Sequence, residues 1–121
     1  MQRIVQILKR HAEVCFADDI EHKPSSIIIT TLAAKQYQSA SSYNSDFLDI
    51  MNYVIEHLKD GIEIRNEKPC VHNPVNEEEV LSSKWDKDSS YFEFFKIWLQ
   101  QLELDFNVRN HNLSYSDKIQ Y

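Results

Sequence analysis

Apolar side chains recur at helical spacing in several stretches of this chain. They predict helices over residues 3–16, 24–38, 45–59 and about 89–105. The second of these has a proline in its first turn and is apolar on nearly every face, so we expect it to be the central and most buried element. Its run of β-branched residues would also suit a strand. The length of the segment and its Leu-Ala-Ala continuation favour a helix.

Shorter elements are predicted between these helices. The Ser-rich stretch 39–45 is typical of a loop, and Gly61 is expected to stop the third helix. Alternating apolar and charged residues favour a small hairpin near 62–72. Asn76 can cap a short helix through Ser83, followed by a loop at 86–90.

The pattern as a whole predicts an all-α fold, a helical bundle of about five helices with a possible small β-hairpin. The 121 residues are enough for one domain with one core. We place that domain at residues 1–106. Residues 107–121 hold few apolar side chains and are expected to form a loosely ordered tail.

Composition narrows the possible functions. The net charge of -6 argues against direct binding of nucleic acid, which normally uses a basic stripe. The single glycine, Gly61, excludes Rossmann fingerprints, Walker A loops and nucleophile elbows. Neither a signal peptide nor a membrane span is predicted, and Cys15 is expected to be a buried free thiol, so we expect a cytoplasmic protein.

Three residues could form an anion site. Ser25 and Ser26 stand before or at the start of the buried helix, where unsatisfied backbone N–H groups attract anions. Lys9 lies at the edge of the apolar stripe of the first helix, from which its ammonium could approach the same point. The alternatives are ordinary: serines are good helix caps, and Lys9 could be a solvated surface lysine.

Other chemical signals are weaker. Asp86 and Asp88 have a metal-binding spacing, but capping of the last helix explains them. Cys70 and His72 could ligate a metal, yet no second pair follows at zinc spacing. Trp98 lies in an aromatic stripe that is typical of a core or an interface. We therefore predict no catalytic residue and no metal ligand in this chain.

Three segments, in order, resemble the C-terminal half of the cGAS/DncV-like nucleotidyltransferases, the bacterial cyclic-oligonucleotide synthases related to oligoadenylate synthase. They are Ile7–His11, Lys23–Ala34 and Asn73–Trp85. The resemblance extends over roughly residues 3–102. It departs from the family at Leu81–Ser83, where an Asn-Phe pair is more usual. The family's catalytic sheet domain, with its Gly-Ser motif and carboxylate triad, would have to precede residue 1.

The resemblance implies a helical, nucleotide-binding half of such a synthase. In the intact enzyme Lys9, Ser25 and Ser26 would contact the phosphates of ATP or another nucleoside triphosphate. The product would be a cyclic di- or trinucleotide that acts as an antiphage second messenger. The chain alone is expected to be inactive and to hold no cofactor, because Mg²⁺ and the nucleotide would bind only with the missing catalytic half.

The expected partners follow from the same resemblance. They are the nucleoside triphosphate and the missing N-terminal catalytic domain, or a second copy of the chain bound through the exposed face. Neither a membrane nor a nucleic acid is expected to bind. The alternative is a non-enzymatic helical protein-interaction module, which the acidic balance and the aromatic-rich last helix favour.

Overall fold

The computed structural model describes the backbone of residues 1–119 and the side chains of residues 1–106. The predicted all-α fold with a small hairpin is confirmed. Within the described backbone the helices are α1 (Gln2–Cys15), α2 (Ser26–Tyr43), α3 (Phe47–His57), α4 (Ser83–Lys87) and α5 (Ser90–Ile119), with 3₁₀ turns at Ile20–His22 and Leu58–Gly61. Strands β1 (Glu63–Arg65) and β2 (Lys68–Cys70) form the hairpin. In this part of the chain no helix is long and apolar enough to cross a membrane.

Helix α1 buries the stripe that its spacing predicts, formed by Ile4, Val5, Leu8 and Ala12. The expectation of a buried thiol at Cys15 is wrong, because that residue is exposed. Phe16, four residues after Ala12, continues the stripe instead. Its ring packs edge-on against Phe94 of α5, with the ring centroids 6.2 Å apart.

Helix α2 packs against α1, α3 and the turn Leu58–Gly61, as expected of a central element. It is not buried on every face, since Ile27 is 53% exposed. The loop predicted at 39–45 is also wrong, because α2 continues to Tyr43. Ala40 is fully buried and anchors these last turns. The serines that suggested a loop bond back to the helix, as when the Ser42 hydroxyl donates to the Gln38 carbonyl at 3.0 Å.

Helix α3 begins at a side-chain cap, in which the Asp46 carboxylate accepts from the backbone N–H groups of Leu48 and Asp49. The hairpin follows, with Glu63 opposite Cys70 in an antiparallel register. Its turn places Asn66 and Glu67 at φ 53° and 63°. Positive φ at both central residues is the geometry that joins two strands through a two-residue turn.

The helix predicted from Asn76 to Ser83 is absent. The Asn76 side chain accepts from the Glu78 N–H and closes a turn rather than starting a helix. The chain then runs back beside the segment after β2, where the Leu81 N–H donates to the Val71 carbonyl at 2.8 Å. This pairing takes the backbone groups that a helix would have needed. Helix α4 forms later and includes residues 86–87, which were predicted to be a loop.

Helix α5 contributes Phe95, Trp98 and Leu102 to the core, as their helical spacing predicts. Asp88 caps its start by accepting from the Ser90 N–H at 2.9 Å. The backbone is helical to Ile119, beyond the predicted end near 105. The loosely ordered tail predicted at 107–121 lies outside the described side chains, and the division into 1–106 and a tail stays a prediction.

Candidate functional site

A cleft of about 280 Å³ opens at the N-terminal end of α2. One wall is the segment that leads into α2, and the other is the segment that leads into α4. Tyr91 and Phe95 of α5 close it. These are two of the segments that the sequence singles out, and the fold brings them together. The lining residues are Glu21, His22, Lys23, Pro24, Ser25, Ile28, Leu81, Ser82, Ser83, Lys84, Trp85, Tyr91 and Phe95.

The α4 wall is held by buried contacts. The Ser82 hydroxyl, fully buried, accepts from the Val71 N–H at 2.9 Å. The Trp85 ring packs against Phe92 and Phe95, at centroid distances of 4.9 and 5.3 Å. The wall is therefore fixed to the core, and Lys84 projects from a rigid base.

Positive charge and a helix start meet in the cleft. Lys23 and Lys84 line it, and within the described part of the chain neither forms an ion pair. The Lys84 ammonium lies 5.6 Å from the centre of the Tyr91 ring. Ser25 is the N-cap residue of α2, but its side chain makes no capping hydrogen bond. The first N–H groups of α2 thus remain available, and a helix start with free N–H groups attracts anions.

Acidic and aromatic groups form the rim near Tyr91. Its hydroxyl donates to Glu21 at 3.3 Å. Removal from water, followed by the nearby Glu21 carboxylate, raises the pKa of Tyr91 above its ordinary value. His22 bonds to Asp19 at 2.8 Å and stacks on Phe94 at 4.4 Å. The rim near Tyr91 therefore holds the carboxylates of Glu21, Asp19 and Asp88 as well as aromatic rings.

Only one of the three predicted anion-binding residues lines the cleft. Ser25 lines the cleft, whereas Ser26 is exposed at the first position of α2. Lys9 is half-exposed on α1 and does not line the cleft. Their roles stay predictions. The sequence analysis missed Lys23 and Lys84 as candidate phosphate contacts, although both lie within the singled-out segments.

A second cluster lies at the hairpin. It consists of Glu63, Cys70 and His72, whose ligand atoms all lie within 4.8 Å of one another. Cys70 and His72 are buried, and Glu63 is half-buried. Burial, followed by the Glu63 carboxylate, raises the pKa of the Cys70 thiol. The sequence showed the Cys70–His72 pair but not its third member.

A third cluster joins α1 to α5. His11 Nε2 lies 2.7 Å from Asp105 Oδ2, and the Trp98 indole donates to His11 Nδ1 at 3.1 Å. The Cys15 sulfur lies 3.6 Å from the same Nδ1. Burial, followed by the Asp105 charge, raises the pKa of Cys15. The sequence offered no sign of this network, because its members lie far apart along the chain.

Comparison with known proteins gives a relationship to a cyclic-dinucleotide synthase. No family model matches the chain. A protein named c-di-GMP synthase, from Roseivirga ehrenbergii, is 38% identical over 99 residues. The match takes in 80% of this chain but only 26% of that relative's length. The chain is thus similar, over most of its own length, to about a quarter of a c-di-GMP synthase.

Proposed function

We propose that this chain is the helical, nucleotide-binding half of a cyclic-oligonucleotide synthase of the cGAS/DncV-like superfamily. The observation that carries the proposal is the cleft at the start of α2, where two lysines and free helix N–H groups converge. The similarity to a c-di-GMP synthase supports the class of reaction. The product would be a cyclic di- or trinucleotide used in the cytoplasm as an antiphage signal.

In the intact enzyme the phosphates of a nucleoside triphosphate would lie at the start of α2. Lys23 and Lys84 would offset their charge, and Ser25 would donate a hydrogen bond. Lys9 and Ser26 would contact phosphates from the α1 side once the catalytic half is in place.

The chemical step would belong to the catalytic half. Phosphoryl transfer relies on carboxylates that hold Mg²⁺ against the transferring phosphate. The Asp-x-Asp pair Asp86 and Asp88 has another use, since Asp88 caps α5 and the backbone N–H of Ser90 lowers its pKa. We therefore expect no oligonucleotide product when this chain alone is incubated with labelled triphosphates and Mg²⁺ or Mn²⁺. Product from pure protein would contradict the proposal.

Substitutions in the full-length enzyme test the cleft. Lys84→Ala and Lys23→Ala should each weaken triphosphate binding by about 10- to 100-fold, the usual loss for one charge-assisted contact. Lys84→Arg should retain part of the affinity. Ser25→Ala should cost less, because the backbone N–H groups remain. Lys96→Ala is the matched control, since Lys96 lies on α5 outside the cleft and pairs with Glu93 at 3.0 Å.

The same titration shows whether the triphosphate is bound by the cleft lysines or by Lys9 of α1. Lys9→Ala should weaken binding if its ammonium reaches the phosphates, and Lys9→Arg should preserve part of it. If both cleft variants bind as tightly as the parent while Lys9→Ala does not, the phosphates lie on α1 instead. If no variant differs from Lys96→Ala, the proposed nucleotide site is wrong.

Three exposed apolar side chains occur between the end of α1 and the first turn of α2. Val14, Ile20 and Ile27 are 63%, 74% and 53% exposed, and they lie on α1, before α2 and in the first turn of α2. We propose that they meet the catalytic half in the intact enzyme, or a second copy of the chain when it is isolated. Sedimentation of the 121-residue chain should show self-association that Ile27→Asp weakens. A strictly monomeric chain would contradict the self-association.

The interaction module remains the second candidate. It predicts that the chain binds a protein partner and that substitution of Lys9, Lys23 or Lys84 leaves the affinity for this partner unchanged. The triphosphate titration above therefore also decides between the two functions.

A further inference from the structure

The hairpin register gathers three metal-ligand side chains on one face. Glu63 of β1 is directly opposite Cys70 of β2, and residues opposite each other project to the same side. His72 follows Cys70 by two residues in extended chain, which returns it to that side. Their ligand atoms lie within 4.8 Å of one another. The three donors thus converge through strand geometry, although Cys70 and Glu63 are separated in sequence by a turn.

One atom in this cluster is not satisfied. His72 is only 8% exposed, and its Nδ1 is buried without a hydrogen-bond partner. The nearest carboxylate oxygen, Glu63 Oε2, is 3.6 Å away, too far for a hydrogen bond. A buried polar atom without a partner costs about 1–3 kcal/mol. A cation between the imidazole and the carboxylate would satisfy the atom.

We propose that Glu63, Cys70 and His72 bind a zinc ion. One thiolate, one imidazole and one carboxylate are the donor types that zinc takes in proteins. Tetrahedral zinc, with bonds of about 2.0–2.3 Å, holds its ligands roughly 3.4–3.8 Å apart. The 3.6 Å between His72 and Glu63 already fits this spacing. The other distances among the three ligand atoms, which are at most 4.8 Å, would have to shorten through side-chain rotation.

Two cationic side chains already contact the Glu63 carboxylate, because the Lys35 ammonium lies 4.0 Å from Oε1 and Arg65 contacts Oε2, so zinc would have to bind alongside them. The Arg65 guanidinium donates to Glu63 Oε2, with Nε at 2.9 Å and Nη2 at 2.8 Å. This contact orients the Glu63 carboxylate, but it engages Oε2, the same oxygen that lies 3.6 Å from His72 Nδ1. Cys70 and His72 also line a cavity of about 430 Å³ together with one acidic residue, Asp86, and two basic residues, Arg65 and Lys68. A fourth coordination position facing this cavity would be open to water.

Binding must release a proton. The Cys70 thiol coordinates as a thiolate, whereas an ordinary free thiol, with a pKa of about 8.5, is mostly protonated at neutral pH. At pH values below the thiol pKa, zinc affinity should therefore increase by up to about tenfold for each unit by which the pH is raised. The three ligands do not line the cleft at α2, so this site stands independently of the proposed nucleotide function.

The test uses the 121-residue chain, stripped with a chelator and titrated with zinc chloride by calorimetry. The parent should bind one equivalent of zinc. Cys70→Ser, His72→Asn and Glu63→Gln should each lose at least about 100-fold in affinity, because even an outer contact to a ligand commonly costs about 10- to 100-fold. Cys15→Ser and His57→Asn are the controls, since they alter a cysteine and a histidine elsewhere and should leave the affinity unchanged.

A spectroscopic measurement on the parent chain tests the zinc site even if a buried variant fails to fold. Cobalt in place of zinc should give a sulfur-to-metal charge-transfer band in the parent chain, and Glu63→Gln, at a half-buried position, should weaken cobalt binding without unfolding the chain. Absence of stoichiometric binding, absence of the sulfur band, or equal affinity in the parent and the folded ligand variants would each overturn the proposal. Loss of zinc binding in Cys15→Ser would overturn the assignment to the hairpin.

Discussion

Two pairs of histidine and cysteine lie in this molecule, and the partners of the imidazole make them different. At the α1–α5 contact, Trp98 donates to His11 Nδ1, so the His11 proton must be on Nε2, facing Asp105. Both ring nitrogens are satisfied. At the hairpin, His72 Nδ1 is buried without a hydrogen-bond partner, and Glu63 Oε2 lies 3.6 Å away. His11 therefore joins α1 to α5 through hydrogen bonds, whereas His72 has a ring nitrogen available to bind a metal.

The comparison also limits what Cys15 can do. Its sulfur is 3.6 Å from His11 Nδ1, and with Asp105 behind the ring the set has the outline of a nucleophilic triad. The Nδ1 lone pair, however, already accepts the Trp98 N–H. A base that is occupied in this way does not activate a thiol, and the raised pKa of Cys15 agrees with that. Proximity alone therefore does not identify a reactive cysteine.

The largest effect should come from deleting each imidazole in turn. His11→Ala leaves the buried Trp98 N–H without its acceptor, and we expect the free energy of unfolding to fall by about 2–3 kcal/mol. His72→Ala, measured with chelator present, breaks no hydrogen bond at Nδ1 and should cost about 1 kcal/mol, mainly from lost packing. Urea denaturation measures both.

Adding zinc sharpens this result. Zinc should raise the unfolding free energy of the parent and of His11→Ala, but not of His72→Ala, because a ligand that binds only the folded state stabilises it. If His72→Ala costs as much as His11→Ala in chelator, His72 has a partner and the contrast between the two histidines is wrong.

Much of the core could be predicted from sequence, because burial follows periodicity. The stripe of α1 and the aromatic residues of α5 lie where their spacing places them. The predictions were wrong where a local sequence pattern was compatible with two different structures. Asn76 followed by acidic residues suits a helix start, but the same side chain closes a turn when the backbone pairs elsewhere. Cys15 and Phe16 were equally compatible with the stripe until the end of α1 was known.

The candidate sites were less predictable because they depend on long-range contacts. Both segments that line the cleft were recognised separately, yet only the fold brings Lys84 to the start of α2. The metal ligands were judged by spacing along the chain, and Cys70 with His72 was set aside for lack of a second pair. The third ligand, Glu63, comes from the opposite strand, and its identity depends on the register of the hairpin.

Thiol reactivity should give a smaller difference between the two pairs. Cys15 is exposed and Cys70 is buried, so an alkylating reagent should modify Cys15 roughly tenfold faster, since Cys70 reacts only after local opening. Cys15→Ser should remove the fast phase. Both rates should increase with pH, because both thiols have raised pKa values and react as thiolates. Zinc should slow the Cys70 phase alone; equal protection of both thiols would contradict the hairpin site.

The smallest effect concerns the carboxylate behind His11. Asp105→Asn keeps one oxygen that can accept from His11 Nε2, but it removes the charge and the second oxygen, which accepts from Gln101 at 2.8 Å, so we expect a loss of about 0.5–1 kcal/mol. Asp60→Asn is the matched control, because Asp60 bonds His57 at the same 2.7 Å but both side chains are more exposed. That change should cost less than about 0.5 kcal/mol, since exposed pairs are screened by water. Urea denaturation of the two variants in one buffer decides the matter. If Asp60→Asn costs as much as Asp105→Asn, burial at the α1–α5 contact does not strengthen the His11 link, and the satisfied histidine owes its role to Trp98 alone.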